Sequence, residues 1–348
     1  MNKPKTMNAV LLRGYGDYEQ LEYATDVSIP EPKEYEVLVE VKAAGVNNTD
    51  INTRIGWYAK DASNDATSSW TGESFKFPRI QGADVCGYIV KVGKDVDPER
   101  VGERVLIEPC LQKVNGVQLE SPWYFGSECD GSFADYTVVS CEHAYKIESS
   151  YTDIELASFP CSYSTAENLL TRSQVNQEDI VLISGASGGV GSAAIQLAKA
   201  RGARVIAITS PSKFDAVKSL GASQVIAREE NIVEILGKNS VTVVIDLVAG
   251  KTWGRFLEVL KPKGRYATSG AIGGAMVELD IRTLYLKDLS FFGCTVLGEE
   301  VFPNLIKMIE HKKIKPLVAQ TFYLKDIVEA QKEFLTKKHI GKIVLKVQ

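Results

Sequence analysis

Across residues 36–46 the chain reads EVLVEVKAAGV, with Val37, Val39 and Val41 set against Leu38, Glu40 and Lys42. That period of two predicts a half-buried β-strand. Short runs of the same kind recur at MNAVLL, GYIVKVG, RVLIEP and FADYTVV, separated by Gly, Pro and Asp, so the first half is predicted to be β-rich. From Asp179 onward the pattern changes. DIVLISG, RVIAIT, QVIA, VTVVIDLV, GRYATSG and LSFFGCTVL are apolar on both faces. Between several of them lie segments with helical spacing: GVGSAAIQLAKAR, PSKFDAVKSLG and TWGRFLEVL. Two-faced apolar strands alternating with helices predict a parallel sheet covered on both sides. After Leu297 the pattern gives a helix at FPNLIKMIEHKK, a strand near FYL, a helix at IVEAQKEFL and a closing strand, KIVLKV.

The first predicted strand ends in GVNNTD, Gly45 to Asp50. Short polar side chains of this kind satisfy local backbone groups, so a turn is the simplest reading. Further on, residues 57–77 are polar and without periodicity, yet carry Trp57, Tyr58, Trp70 and Phe75. The segment reads either as a surface loop or as a lid or pocket wall.

Composition narrows the function classes. At 348 residues the chain can form two domains, each with its own core. A net charge of −4 and the lack of a basic cluster argue against a nucleic-acid partner. No apolar run is long enough to span a membrane, and the N-terminus lacks a signal-peptide core, so a cytoplasmic protein is expected. The six cysteines include no C-x-x-C pair and read mostly as apolar fillers rather than as a disulfide or zinc framework. Three dispersed histidines do not suggest a histidine-rich metal site.

The sharpest chemical signal is VLISGASGGVGSAAIQLAK. Ala186, Gly188 and Gly191 occupy the three positions of the G-x-G-x-x-G fingerprint, between a predicted strand and a predicted helix. Gly188 lets the backbone approach a pyrophosphate, and Gly191 lets the helix pack closely on the strand. Ser187, Gly189 and Val190 complete a turn whose N–H groups face an anion at the helix N-terminus. An NAD site places a carboxylate after the second strand. Here RVIAITSPSK offers Thr209, Ser210 and Lys213 instead, and hydroxyls with a cation suit a 2′-phosphate, so NADPH is the expected cofactor.

Taken together, GVNNTD, FPRIQGADVCGYIVKVG, VGERV, DGSFADYTVV, GASGGVGSAAIQLAK and HIGKIVL resemble the medium-chain dehydrogenase/reductase superfamily over essentially the whole chain. The resemblance implies a doubly wound Rossmann α/β domain beside a β-rich GroES-like catalytic domain. The expected division is 1–155 catalytic, 156–297 cofactor-binding and 298–348 returning to the catalytic domain. Ser269, in GRYATSG, and Lys342, in HIGKIVL, complete the expected cofactor-binding set. Zinc-dependent alcohol dehydrogenases carry metal ligands at the positions of Asn47 and Ala83, with a third at Cys161; neither Asn47 nor Ala83 ligates zinc strongly. The structural-zinc lobe is replaced by a segment with only Cys110 and Cys129. No metal site is therefore expected, apart from weak binding at Asp84 beside Cys161 as a minor alternative.

What remains resembles the zinc-free quinone oxidoreductases. Asn47 and Asp50 match that branch; Asn48 and Asn52 depart from it, the latter where zeta-crystallin has a tyrosine near the substrate. Asn47, Thr49 and Asn52 are the catalytic candidates. In this reading GVNNTD is a turn and a site wall together. Aromatic residues of the 57–77 segment, with Trp123, Tyr124 and Phe125, are candidates for an apolar pocket. The resulting expectation is a zinc-independent, NADPH-dependent quinone or enone reductase, assembled as a homodimer or homotetramer through the edge strand LSFFGCTVL. A zinc alcohol dehydrogenase and a nucleotide-binding protein with little catalysis remain as alternatives.

Overall fold

A computed structural model describes residues 5–58 and 75–347, which divide into two compact units. Most of the 57–77 segment, including Trp70, lies outside the described residues. Unit 1 combines Met1–Cys161 with Pro316–Gln348, and unit 2 is Ser162–Lys315.

Among the described residues, unit 1 is built on a seven-stranded sheet. Its centre is the strand Glu36–Val46, which pairs antiparallel with Cys86–Val92, Tyr136–Ser140 and the C-terminal strand Lys342–Lys346. The alternation seen in the sequence is realised: Val37, Val39 and Val41 are buried against Ile89, Val105 and Ile107. A second apolar cluster joins Val10, Ala44, Val46 and Phe133 to Ile343 and Leu345. The returning strand therefore fills the same core as the first residues of the chain.

The segment expected to lack a zinc lobe folds as a hairpin, Cys110–Val114 with Val117–Tyr124. A buried pair holds it to the sheet: His143 Nδ1 lies 2.9 Å from Glu108 Oε2, and His143 Nε2 accepts from the Lys113 N–H at 3.1 Å. Phe125 is buried in the core and Trp123 packs against it, so these two rings serve the hydrophobic cluster rather than a pocket.

Unit 2 carries a six-stranded sheet with all pairings parallel, in the order Gln224–Ala227, Arg204–Thr209, Ile180–Ile183, Val241–Asp246, Leu260–Thr268 and Ser290–Gly293. This is the Rossmann arrangement, in which the strand order reverses beside the first strand. Val181, Leu182 and Ile183 are fully buried, as their uninterrupted apolar run requires. The sheet's last strand is shorter than LSFFGCTVL and stops at Gly293.

The boundaries differ from the expected ones at both junctions. The helix Val301–Glu310, expected with the returning segment, belongs to unit 2. Hydrogen bonds tie this stretch to the helices before and after the first strand: Tyr163 Oη donates to Lys315 O (2.6 Å), and Gln196 Oε1 accepts from Lys315 N (2.9 Å). At the first junction, unit 1 extends to Cys161, whose N–H donates to Asp84.

Among the described residues five α-helices were not legible from periodicity, the short Asp153–Leu156, Ile232–Leu236 and Ile281–Leu286 and two that matter more for the site. Pro160–Arg172 reads as polar but buries Glu167 and Asn168 along with Leu169 and Leu170. Asn48–Arg54 replaces the expected turn after the central strand.

Candidate functional site

The end of the central strand is where unit 1 concentrates its buried polar groups. Asn47, the N-cap of the helix Asn48–Arg54, is buried, as are Asp84 and Lys342. Lys342 Nζ donates to Asp84 Oδ2 at 2.6 Å and to Asn47 Oδ1 at 2.5 Å. Asn47 Nδ2 donates to Asp84 Oδ2 at 2.7 Å, and the Cys161 N–H donates to Asp84 Oδ1 at 2.6 Å. Asp84 has no exposed surface and Lys342 is 3% exposed, so this is a desolvated ion pair with its lone pairs filled. Gly45 permits it. A Cβ there would sit 2.4 Å from Asp84 Oδ2 and 3.0 Å from the Ala157 carbonyl oxygen.

Asp50 caps the same helix from inside. Its carboxylate accepts from the Asn47 backbone N–H at 2.7 Å, which is half of a capping box. Burial pushes the Asp50 carboxyl up to about 7, against the opposing pull of the Asn47 N–H and the Lys342 charge. The three catalytic candidates thus fall on one helical turn with different surroundings. Both N–H groups of the Asn47 amide are engaged, by Asp84 and by the Gly45 carbonyl (3.4 Å). Thr49 is half-buried, and its hydroxyl has no hydrogen-bond partner among the described residues. Asn52 Nδ2 lies 3.4 Å from the hydroxyl of Tyr58. Burial drives the Tyr58 phenol well above its ordinary value, against the opposing pull of the Asn52 amide and with smaller upward pushes from Cys161 and Asp50, so the phenol stays neutral and is a weaker acid than a free one.

In unit 2 the glycine-rich turn has the geometry that the sequence implied. The strand ends at Ile183, Gly185 takes a φ of +58°, and the helix Gly189–Ala200 starts from Gly188 with no side-chain cap. Its first N–H groups are therefore left for an external acceptor. Gly191 sits so close to the turn that a Cβ would lie 2.3 Å from the Gly185 carbonyl oxygen. Ala186 is fully buried, while Ser187, Gly189 and Val190 are half-buried and Gly188 is exposed.

The end of the second strand approaches this turn. Lys213 Nζ lies 3.4 Å from Ser187 Oγ, and Ser210 Oγ is 3.5 Å from Ser212 Oγ. Burial and then the nearby Arg228 lower the Lys213 ammonium from its ordinary value. Ser269 follows the strand Leu260–Thr268, and its buried hydroxyl has no partner among the described residues. Open helix N–H groups, a cradle that a Cβ would fill and an orphaned hydroxyl at the same edge of a parallel sheet fit a dinucleotide. Ala186 to Gly191, Ser210, Lys213 and Ser269 are the residues that would hold it.

The remaining cofactor candidate, Lys342, lies in unit 1 and is committed to Asp84 and Asn47. Sequence reasoning also missed Arg228, whose backbone N–H donates to Thr209 O at the end of the second strand. A basic residue directly after QVIA was the available signal. Tyr58 was visible only as one aromatic among several, because its approach to Asn52 depends on the intervening helix.

A catalytic metal does not fit unit 1. The position of Ala83 offers no donor, and the oxygens of Asn47 and Asp84 already bind an ammonium. Among the described residues no group of three or more His, Cys, Asp or Glu side chains is placed to hold a metal ion.

Comparison with known proteins agrees with this architecture. The family model for the alcohol dehydrogenase GroES-like domain matches residues 33–149, and that for zinc-binding dehydrogenases matches residues 189–311. A crystal structure from Sinorhizobium meliloti, carrying the designation of an alcohol dehydrogenase, is 42% identical with a TM-score of 0.92, covering 99% of this chain and 97% of that one. The acryloyl-coenzyme A reductase of Metallosphaera sedula is 28% identical, with 97% of this chain and 99% of that protein covered. Human quinone oxidoreductase is 26% identical, with 95% and 94% covered.

The environment of Asp50 sets a pH dependence. Its folded value of about 7 lies above the ordinary carboxylate value, so the native state holds a proton that the unfolded state releases. This contribution is fully present below about pH 4 and is lost as the pH rises through about 7. Asp50→Asn keeps an acceptor for the Asn47 N–H without the charge. The variant is expected to gain stability relative to the wild type between pH 5 and pH 8, by up to about 4 kcal/mol. Denaturant unfolding across that range checks it; a pH-independent difference would place the charge of Asp50 elsewhere.

Proposed function

The chain belongs to the medium-chain dehydrogenase/reductase superfamily, and on that premise we propose that it is an NADPH-dependent reductase that passes hydride to a quinone or an α,β-unsaturated carbonyl without a metal. The observation that carries this reading is that Asn47 and Ala83 stand at would-be ligand positions, and that the Asn47 amide is tied to a buried Asp84–Lys342 ion pair. Reduction of an unactivated ketone gains several kcal/mol from a Lewis acid, on the order of what a metal site supplies. A conjugated acceptor needs less, because the added electron pair is delocalised onto an oxygen already in conjugation.

When bound, the reduced nicotinamide supplies the hydride. The protein's part is to orient the acceptor, stabilise the oxygen on which charge develops and provide a proton. On unit 1 the Thr49 hydroxyl and the neutral Tyr58 phenol, which accepts from Asn52, are the hydroxyls through which water would pass the proton. Asn47, with its amide fully engaged, acts as a positioning residue for Asp84.

The preference for NADPH is supported by Ser210 and Lys213 after the second strand, where an NAD site has a carboxylate, and by Arg228, which follows the third strand and donates its backbone N–H to Thr209 O. Lys213→Ala should weaken NADPH by about 1–3 kcal/mol and leave NADH little changed. Fluorescence titration with both nucleotides measures this, and equal wild-type affinities would reject the preference.

The reaction class is tested by steady-state NADPH oxidation with chelator-treated protein. Turnover is expected with simple quinones or enones and not with saturated ketones. Activity that vanished on chelation and returned with zinc would replace this reading with a zinc alcohol dehydrogenase.

Assembly as a homodimer, or a multiple of it, is supported by the edge of the unit 2 sheet. Ser290–Gly293 pairs on one side only, and Phe291 is exposed together with Ile281, Tyr285 and Leu286. An open apolar edge is suited to pairing with a second copy. Light scattering at micromolar concentration should give at least twice the chain mass; a monomer would exclude the pairing.

A further inference from the structure

We propose that Lys342 is the electrophile of the unit 1 site: its ammonium stands where a metal ion would be bound, and offers an N–H to the acceptor oxygen during reduction. An ammonium has three N–H donors. Two are spent, on Asn47 Oδ1 and Asp84 Oδ2, and the third has no acceptor among the described residues. A cation buried to this degree is held only if its charge is compensated. Asp84 compensates the charge, and the Cys161 N–H and the Asn47 amide fix the carboxylate in turn. The unspent donor is left for a substrate oxygen. The arrangement reproduces the electrostatics of a Lewis acid, a cation fixed by anionic and neutral oxygens with one N–H unspent.

The step balances without a further reagent. A C–H bond forms at the acceptor carbon from the delivered hydride, and the conjugated π pair moves onto the carbonyl oxygen. The Lys342 N–H hydrogen-bonds that oxygen and keeps its proton. A proton from water, directly or through a site hydroxyl, completes the reduced product. The same cation makes the site refuse a metal: a divalent ion would have to displace an ammonium already bound to both oxygens.

This inference rests on the reductase reading, so its test has one arm that needs no turnover. Wild type, Lys342→Met and Lys342→Ala are treated with chelator, dialysed and titrated with Co²⁺ while the visible absorption is followed. The wild type should show no stoichiometric uptake. Lys342→Ala, which leaves Asp84 and Asn47 facing an ammonium-sized space, should bind Co²⁺ at least ~10-fold more tightly than the wild type, through the freed carboxylate and amide oxygens. In the second arm, Lys342→Met should lower kcat for the quinone or enone by roughly 10²–10³-fold, the usual loss for one oxyanion donor. Exogenous alkylammonium ions should restore kcat of Lys342→Ala saturably without shifting its Tm, which a merely structural lysine would not allow. If Lys342→Ala fails to fold, Lys342→Met and Lys342→Arg carry the kinetic comparison, the arginine retaining more activity than the methionine. Stoichiometric Co²⁺ in the wild type, or an active wild type whose kcat survives Lys342→Met within about 2-fold, overturns the proposal. A wild type inactive with every quinone and enone overturns the reductase reading instead, and the Co²⁺ arm then decides the cation alone.

Discussion

A buried ammonium against a buried carboxylate is the constraint around which unit 1 is organised. Removing one partner from such a pair costs about 3–5 kcal/mol, because the other is left charged and desolvated. The pair therefore dictates its neighbours. Position 45 has to be glycine-sized so that Asp84 can approach, and Asn47 has to present both an acceptor and a donor on one amide. The Cys161 N–H has to point back at the carboxylate, which fixes the chain at the junction with unit 2. Side chains named first as a turn, a possible ligand and a cofactor contact turn out to be one network.

Two buried carboxylates, Asp84 and Asp50, gather at the end of the central strand with different partners. Asp84 has a cation and an N–H for its oxygens. Asp50 is equally buried but is matched mainly by backbone N–H groups, and burial dominates its titration. Two hydroxyls accompany them: Thr49 precedes Asp50 in the chain, and Tyr58 lies against Asn52. The acid–base character of the region thus comes from burial and partner geometry rather than from any unusual residue type.

Much of this was readable from the chain. Period-two alternation located the central strand, and two-faced apolar runs located the parallel sheet, because those patterns follow directly from which faces are buried. The glycine turn was legible because its spacing is set by backbone sterics within a dozen residues. The helix Asn48–Arg54 was not, although Asn47 and Asp50 already stood at N-cap and N3 spacing; the polar content masked a cap as a turn. Lys342 could be singled out but not placed. Its partners are 258 and 295 residues away, and no local rule reports a contact of that range. Trp123 and Phe125 were misjudged for the same reason, since burial in a core is decided by strands distant in the chain.

The discontinuity of unit 1 has a consequence for the order in which the protein comes into being. On a ribosome, Asn47 and Asp84 emerge early, followed by all of unit 2, whose strands and helices are contiguous in the chain. The strand Lys342–Lys346, which brings the compensating charge and fills the place beside Glu36–Val46, is made only after the whole of unit 2. Until then the nascent first domain carries a carboxylate that it cannot bury without a counter-charge, and a central strand with an open flank. Unit 2 is thus free to mature first, whereas unit 1 waits for a strand made after it, and the strand that completes its core also brings the residue that completes its charge.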